Sequence, residues 1–566
     1  MSDTDDILLV PSAVLVPDEL RLDVGSIPTG MIPLKGKPMI ERIAEAYEST
    51  PVSRIVAVGE SSDAIREYAQ RSVYDWRVID VGDTISVGET ILTTLEQLPK
   101  ASLEGSKLYI NFADTLIQPI PVLDGQDYVS YEEVDRTYRW TNFDIESDAI
   151  GAVTPKNKLS GTSSPVFVGQ FGITDASEFR DELERAVTAR SSQLDPFFAG
   201  LLSYLSEREY DLFKPDTWLD VGHLDTFHQA KKQFLNTRSF NKLYADNKNT
   251  ITKRSDDVET LINEIEWYNQ IPNDLQPYLP RVYDWSTNED EPFIKLEYIG
   301  YPSLSDLQLY SAHGQHIWNG VFDRLLEMIE EFQRNTLTMQ DGDIESALET
   351  IYIEKTRHRL ERTYNRGTFT ELFDSDGVTI NGVNYPSVRE ILAQLQLIAD
   401  KIGLLETRTL SVIHGDLCFP NILYDPRNGI LKLIDPRGEF GDFTIYGDSR
   451  YDLAKLRHSV VGHYEHLIND QFDVSYDPEE AAISYRIHTT EGQDHRESLF
   501  DSKLASHPEI DLGTIKFIEA LLFLSMVPLH ADRPARQQCM IAQGIQKIAP
   551  YMESATTETF ESREHT

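Results

Sequence analysis

Val412-Ile413-His414-Gly415-Asp416-Leu417-Cys418-Phe419-Pro420-Asn421-Ile422-Leu423-Tyr424 is followed, six residues on, by the apolar run Ile430-Leu431-Lys432-Leu433-Ile434, which closes on Asp435. These stretches place two carboxylates and an amide at the ends of short hydrophobic strands. Such a set suits the movement of a phosphoryl group from Mg-ATP to a hydroxyl. An Asp after His-Gly accepts the hydroxyl proton, while an Asn a few residues later and an Asp at the next strand end hold metal ions. Mg²⁺ takes hard oxygen ligands and needs only one or two protein groups beside the substrate phosphates, so Asn421 and Asp435 are enough.

The spelling resembles the catalytic loop of the aminoglycoside phosphotransferase and choline kinase families, small-molecule relatives of the protein kinases, with His-Gly-Asp in place of His-Arg-Asp. The resemblance implies that Asp416 is the catalytic base and that Asn421 and Asp435 are the metal ligands. Downstream, Tyr451-Asp452-Leu453-Ala454-Lys455 matches the helix-borne Asp-Leu-Ala of these families. There Asp452, with His414, is expected to support the loop.

An ATP-holding lobe should then precede Asp416. Asn249-Thr250-Ile251-Thr252-Lys253-Arg254-Ser255 alternates as a strand, and Lys253 is the candidate for the ATP phosphates. Asp257 to Tyr268 follows with Val258, Leu261, Ile262 and Ile265 at helical spacing. Glu264 is the chosen ion-pair partner of Lys253, with Glu259 and Glu266 on the same helix as alternatives. Phe293-Ile294-Lys295-Leu296-Glu297-Tyr298-Ile299-Gly300 is a strand and a breaker, as a hinge requires, and Glu297 to Ile299 should face the adenine. No Gly-x-Gly-x-x-Gly loop precedes Lys253, only the turn Asp246-Asn247-Lys248-Asn249. After Asp435, Arg437 suits either a phosphate or substrate contact or a structural ion pair. The apolar helices beyond, including Ile515 to Val527, are expected to build the large lobe and the acceptor pocket. The polar tail from Glu553 is expected to fray.

The first half alternates strands and helices through residues 7 to 230. Ile7-Leu8-Leu9-Val10 and Arg54-Ile55-Val56-Ala57-Val58 look like buried parallel strands, with a helix Met39 to Glu48 between them. Lys107 to Asp114 is a further strand that ends in a carboxylate, at the sheet edge where ligands bind in open parallel sheets. This half resembles the sugar nucleotidyltransferases, Rossmann-like enzymes that join a nucleoside triphosphate to a phosphorylated sugar or alcohol. The similarity rests on Pro28-Thr29-Gly30 through Lys35-Gly36-Lys37-Pro38-Met39-Ile40, on Val87-Gly88-Glu89, on Asp114, and on Trp218-Leu219-Asp220-Val221-Gly222. It implies Asp114 and Asp220 as metal ligands, and Ser12, Ala13, Lys37 and Gly88 as nucleotide contacts. Pro11-Ser12-Ala13-Val14-Leu15 lacks the glycines whose N–H groups cradle a triphosphate. Thr29 also stands where the family has its activating lysine, which Lys35, Lys37, Lys156 or Lys158 could replace.

With 566 residues, 40% of them hydrophobic and 10% aromatic, two or three domains are expected. The boundaries read as 1–236 for the nucleotidyltransferase-like domain, 237–300 and 301–552 for the two lobes of the kinase-like domain, and 553–566 for the tail. The fold class is α/β, Rossmann-like and then bilobal. Leu235 to Asn241 forms a polar joint. Two cysteines, Cys418 and Cys539, leave no disulfide framework and no cysteine metal site. A net charge of −41 speaks against nucleic acid and anionic membrane as partners; a well-solvated surface accounts for it, and a saline habitat is the alternative. No stretch reads as a membrane span and the first residues are acidic, so a cytoplasmic protein is expected. Taken together the chain resembles bacterial nucleotidyltransferase–kinase fusions of capsule and surface-polysaccharide assembly. That resemblance implies an ATP- and Mg²⁺-dependent kinase for a sugar, alcohol or amino alcohol. It also implies a first domain that either uses CTP or UTP to activate the product or has become a binding module. A homo-oligomer is compatible with all of this.

Overall fold

The computed structural model describes residues 6–60, 62–135, 137–156, 163–189, 193–235, 242–245, 249–338 and 341–561. The chain divides into two compact units, Met1–Phe234 with Tyr310–Ala312, and Leu235–Leu309 with His313–Thr566. The joint beyond Leu235, most of the Asp246–Asn249 turn and Lys158 lie outside the described residues.

The first unit is built on a mixed sheet whose one side is parallel. Asp6–Ser12 pairs in parallel with Val52–Val58 on one side and Leu108–Asn111 on the other, and Val52–Val58 pairs in parallel with Trp76–Asp80. The continuous apolar spelling of Ile7 to Val10 follows from this position, because a strand flanked on both edges and covered on both faces meets no water. All four of those side chains are buried. Ser164–Ile173 then runs antiparallel to both Leu108–Asn111 and Asp127–Val134. The helix between the first two strands spans Met39–Ala46.

A two-stranded ribbon beside this sheet sets the geometry of the carboxylates. Thr115–Gln118 pairs antiparallel with Thr217–Asp220, in a register that puts Thr115 opposite Asp220. Val221 N–H donates to the Asp114 carbonyl at 2.9 Å. Strand ends far apart in the chain are thereby held side by side.

The second unit opens with a four-stranded antiparallel sheet in the order Lys242–Ala245, Thr250–Arg254, Phe293–Glu297, Val282–Ser286. The helix Val258–Gln270 follows the second of these strands. Asp257 is its N-cap and accepts from Thr260 N–H, satisfying one of the amides that a helix start leaves open. The larger part of the unit is mainly helical around one apolar core. Two short elements in it carry the motif: the strand Thr409–Val412 and the hairpin Ile422–Asp425 with Ile430–Leu433.

Leu512–His530 is long and apolar enough to cross a membrane by length and composition, contrary to the expectation that no stretch would be. Most of it, 78%, is buried inside the structure, packed on the helices Ser449–Val460 and Pro534–Glu561. Its apolarity on all sides is that of a core helix. The final helix spans Pro534–Glu561.

Trp267, on the helix Val258–Gln270, joins the small sheet's helix to the motif. Its Nε1 donates to the Ile413 carbonyl at 2.8 Å, and its ring meets His414 edge to face at 6.0 Å. Trp267→Phe should cost about 1–3 kcal/mol, because a buried carbonyl loses its donor. Urea unfolding of the full chain reads this as a lower midpoint of the second unit's transition; an unchanged midpoint would contradict the role given to this bond.

Candidate functional site

In the second unit the motif residues come together through short-range geometry. Gly415 lies at φ +78°, which an L side chain adopts only with strain, and a Cβ there would stand 2.9 Å from that of Arg437. The turn is clasped from beneath by Asp452, whose two oxygens accept the His414 N–H at 2.7 Å and the Gly415 N–H at 2.9 Å. Burial pushes the Asp452 carboxyl up to about 7 against those two donors. The His414 ring spans the loop: Nδ1 accepts from Asp416 N–H at 3.3 Å, and Nε2 faces the Ile434 carbonyl at 3.0 Å. That pattern demands a neutral ring protonated at Nε2. Burial agrees, holding the His414 pKa down at about 4.

Asp416 is partly open to solvent and ion-pairs with Lys455 at 2.8 Å. Asn421 Nδ2 donates to both the Asp416 carbonyl, at 2.9 Å, and its Oδ2, at 3.0 Å. Burial alone would raise the Asp416 carboxyl, but Lys455, through its charge and its hydrogen bond, together with His414 and Arg437 outweighs it and the net displacement is downward. Asp416 is therefore ionised at neutral pH. Asn421 accepts on its backbone oxygen from Ile434 N–H at 3.0 Å, so the hairpin register brings Asn421 beside the strand end that carries Asp435.

Lys253 ties the small sheet to this strand end. Its Nζ lies 2.6 Å from Glu264 Oε2 and 2.8 Å from Asp435 Oδ1. Glu264 is the partner, and Glu259, exposed in the first turn of the same helix, is not. Burial opposes the lysine's charge, yet the two carboxylates together raise its pKa, so it stays protonated. Burial also lifts Glu264 to about 7. Asp435 has φ +54° and a half-exposed side chain. Glu297 ends its strand with its N–H on the Arg281 carbonyl at 2.8 Å, and Tyr298 N–H binds the Asn249 carbonyl. Among the described residues neither backbone group of Ile299 has a hydrogen-bond partner.

In the first unit Asp114 and Asp220 converge. A Cβ built on Gly222 would lie 2.4 Å from Asp114 Oδ2 and 3.2 Å from Asp220 Oδ1. Asp220 also accepts from Gly222 N–H at 2.8 Å and from Trp140 Nε1 at 3.0 Å. Burial and then the neighbouring Asp220 raise Asp114 to about 7, while Lys156 opposes them. Among the described residues Lys156 is thus the lysine whose charge is felt at Asp114.

Other nucleotide-contact candidates of this unit are occupied internally. Lys37 holds Glu45 at 2.6 Å and Glu41 at 3.6 Å. Ser12 Oγ accepts the Gly30 N–H at 2.9 Å, and Thr29 donates its hydroxyl to the Val14 carbonyl at 3.0 Å. Val16 N–H bonds to Ile27, closing the segment on itself. The Ala13 carbonyl stands 2.4 Å from where a Gly59 Cβ would be. Gly88 gives its N–H to Asp195 at 3.0 Å, and a Cβ there would meet Phe197 N at 2.5 Å. Its lack of a side chain therefore serves helix packing.

Among the described residues no group of three His, Cys, Asp or Glu is set to hold a metal. Paired oxygens completed by substrate phosphates are how Mg²⁺ is commonly held. The oxygens of Asn421 and Asp435, and those of Asp114 and Asp220, fit that demand. Lys455 is a site residue that the motif alone did not mark as such; its position three residues after Asp452 on one helix was the available signal.

No family model matches the chain, and no curated protein matches it. Over its N-terminal part the chain is similar to solved structures of nucleotidyltransferases. HddC from Yersinia pseudotuberculosis is 18% identical, with 41% of this chain and 100% of that one covered and a TM-score of 0.31. The UTP-bound UGPase from Acinetobacter baumannii is 12% identical, with 42% and 95% covered and a TM-score of 0.33. The CTP:phosphocholine cytidylyltransferase LicC from Streptococcus pneumoniae is 11% identical, with 41% and 99% covered and a TM-score of 0.33. At these scores the likeness carries no activity over to this chain, whose function has to come from its own side chains.

Asp452→Asn places an amide where two N–H donors need acceptors. It should destabilise the loop by about 1–3 kcal/mol and speed hydrogen exchange at His414 and Gly415. Unchanged exchange at both amides would contradict the clasp.

Proposed function

We propose that the second unit is a phosphotransferase that moves the γ-phosphoryl group of ATP to a hydroxyl of a small molecule. The observation that carries this is the pairing of an ionised, partly open Asp416, bonded by Asn421, with an Asp435 strand end held by the Lys253–Glu264 pair. The acceptor O–H gives its proton to Asp416 as its oxygen bonds to phosphorus; the bond from phosphorus to the β-phosphate oxygen breaks, and ADP leaves. A carboxylate held this low is a weak base, suited to take the proton once the acceptor oxygen has become acidic by bonding to phosphorus. Lys253 orients the phosphates, and the open backbone of Ile299 can face the adenine. Asn421 and Asp435 are the residues to hold Mg²⁺, which neutralises phosphate charge when bound.

For the first unit we infer nucleotidyl transfer to the phosphorylated product, with CTP or UTP. Its support is the convergence of Asp114 and Asp220 with the charge of Lys156 beside them. A product of that kind would serve as an activated donor for surface polysaccharide. The inward bonds of Ser12 and Thr29 favour a second reading, a module that binds nucleotide or docks without chemistry.

Two experiments test these assignments. Asp416→Asn should lower acceptor-dependent ADP release by ~10²–10⁴-fold with the fold intact; near wild-type turnover would sink the phosphotransferase reading. For the carboxylate pair, Asp114 sits near 7, so a divalent cation must displace a proton below that pH. In an Asp435→Ala background, Mn²⁺ affinity measured by calorimetry should rise with pH by up to about tenfold per unit below 7 and level off above it. Equal affinity at pH 6 and 8, or no loss in Asp114→Ala, would remove the metal site.

A further inference from the structure

Around the side chain of Tyr451 the second unit gathers four cations. Arg437 Nη1 lies 3.5 Å from the Tyr451 hydroxyl, and Lys355 Nζ stands 5.7 Å from the centre of its ring. Lys455 is one helical turn further along the helix Ser449–Val460, and Arg359 is one turn beyond Lys355 on Lys355–Asn365. Two of the four are neutralised, Arg437 by Glu439 and Lys455 by Asp416, each at 2.8 Å. Among the described residues Lys355 and Arg359 have no carboxylate in ion-pairing range; Arg359 donates to the Ser525 carbonyl at 3.2 Å. A surplus of positive charge therefore stands beside the Asp416 loop in a chain of net charge −41.

The crowding shows in Lys355, Arg359 and Tyr451, while Arg437 and Lys455, each beside its carboxylate, are raised. Burial lowers Lys355 to about 8, with Arg437, Arg359 and Lys455 adding to the effect and only Tyr451 opposing it. Arg359 is lowered by burial and then by Arg437. Tyr451, which burial would raise, is drawn down to about 8 by Lys355, Lys455 and Arg437. At neutral pH the phenol is still mostly protonated and does not cancel the surplus.

A separate observation concerns the backbone. The helix entering Lys355 is broken by a π-helical turn, Thr350–Glu354. Such turns sacrifice hydrogen-bond geometry and recur at functional sites. This one lies directly before the unpaired lysine.

We propose that the hydroxyl acceptor of the Asp416 site carries an oxyanion, a carboxylate or a phosphate ester, held by Lys355 with Arg359 and Arg437. An oxyanion supplies the charge this cluster lacks and can take several charge-assisted hydrogen bonds at once, whereas an ammonium-bearing alcohol is repelled there. The inference rests on the phosphotransferase reading and narrows its substrate class.

Two measurements on the full chain test it. Calorimetric titration with inorganic phosphate should show binding that weakens about tenfold or more in Lys355→Gln and recovers in Lys355→Arg. ADP release with Mg-ATP is then compared for glycerol, ethanolamine, glycerate and glycerol 3-phosphate, the last two separating carboxylate from phosphate ester. Transfer to one of these anions, with KM raised in Lys355→Gln more than kcat is lowered, is the expected result. Arg359→Gln replaces Lys355→Gln should the latter not fold. Phosphate binding lost in Lys253→Met but kept in Lys355→Gln would overturn the proposal. So would Asp416-dependent transfer to glycerol or ethanolamine that ignores Lys355; the phosphotransferase reading would survive that result. Lys355-dependent phosphate binding with no Asp416-dependent ADP release from any acceptor would instead overturn the phosphotransferase reading, and the acceptor role with it.

Discussion

Lys253 holds one positive charge between two carboxylates, and the second unit's site is organised around that clasp. Glu264 is buried and belongs to a helix; Asp435 is half exposed and ends a strand 182 residues away in the chain. A buried carboxylate without a partner is costly, so the lysine stabilises the position of the helix. The same helix delivers Trp267 to the Ile413 carbonyl, which fixes the start of the loop. Asp452 then holds the two amides that follow. Positioning of Asp416 is thus set from above by the small sheet and its helix and from below by the helix Ser449–Val460.

Charge is used differently in the two units. In the second, each carboxylate of the site meets a cation: Asp416 meets Lys455, and Asp435 and Glu264 share Lys253. In the first, Asp114 and Asp220 face each other, and Asp114 rises to about 7 although Lys156 opposes the rise. Two carboxylates that close make it costly for both to ionise. In the segment after the first strand the polar groups are used internally: Ser12 accepts from Gly30, Thr29 donates to Val14, and Val16 donates to Ile27.

The parts of this account that were legible in the sequence are those whose geometry is local. His414 to Asn421, Asp435 and Asp452 lie on short elements whose spacing alone brings them near one another, and Lys253 and Glu264 are one strand and one helix apart. Asp114 was legible as a carboxylate at a strand end and Asp220 from its Asp-x-Gly run, although their meeting depends on a ribbon register that joins positions over a hundred residues apart. What was illegible is set by tertiary packing. Gly88 resembles a ligand-contacting glycine, yet its neighbours Pro196 and Phe197 come from another helix. Lys37 sits in a matching run but is engaged by Glu41 and Glu45 one and two turns along. The apolar Leu512–His530 has the composition of a membrane span because its surroundings are core on nearly every side. Lys355 carried no signal at all, since its meaning comes from Arg437, Tyr451 and Arg359 arriving around it.

The central claim is that the Lys253–Asp435 contact marks the place of the ATP phosphates and their metal. A crystal structure of the protein with Mg²⁺ and a non-hydrolysable ATP analogue tests this most directly. The account predicts the triphosphate against Lys253, the adenine beside Ile299, and a cation shared by Asn421 and Asp435, with Lys253 still on Glu264 but parted from Asp435. A nucleotide bound elsewhere, with the 2.8 Å Lys253–Asp435 pair intact, would contradict it.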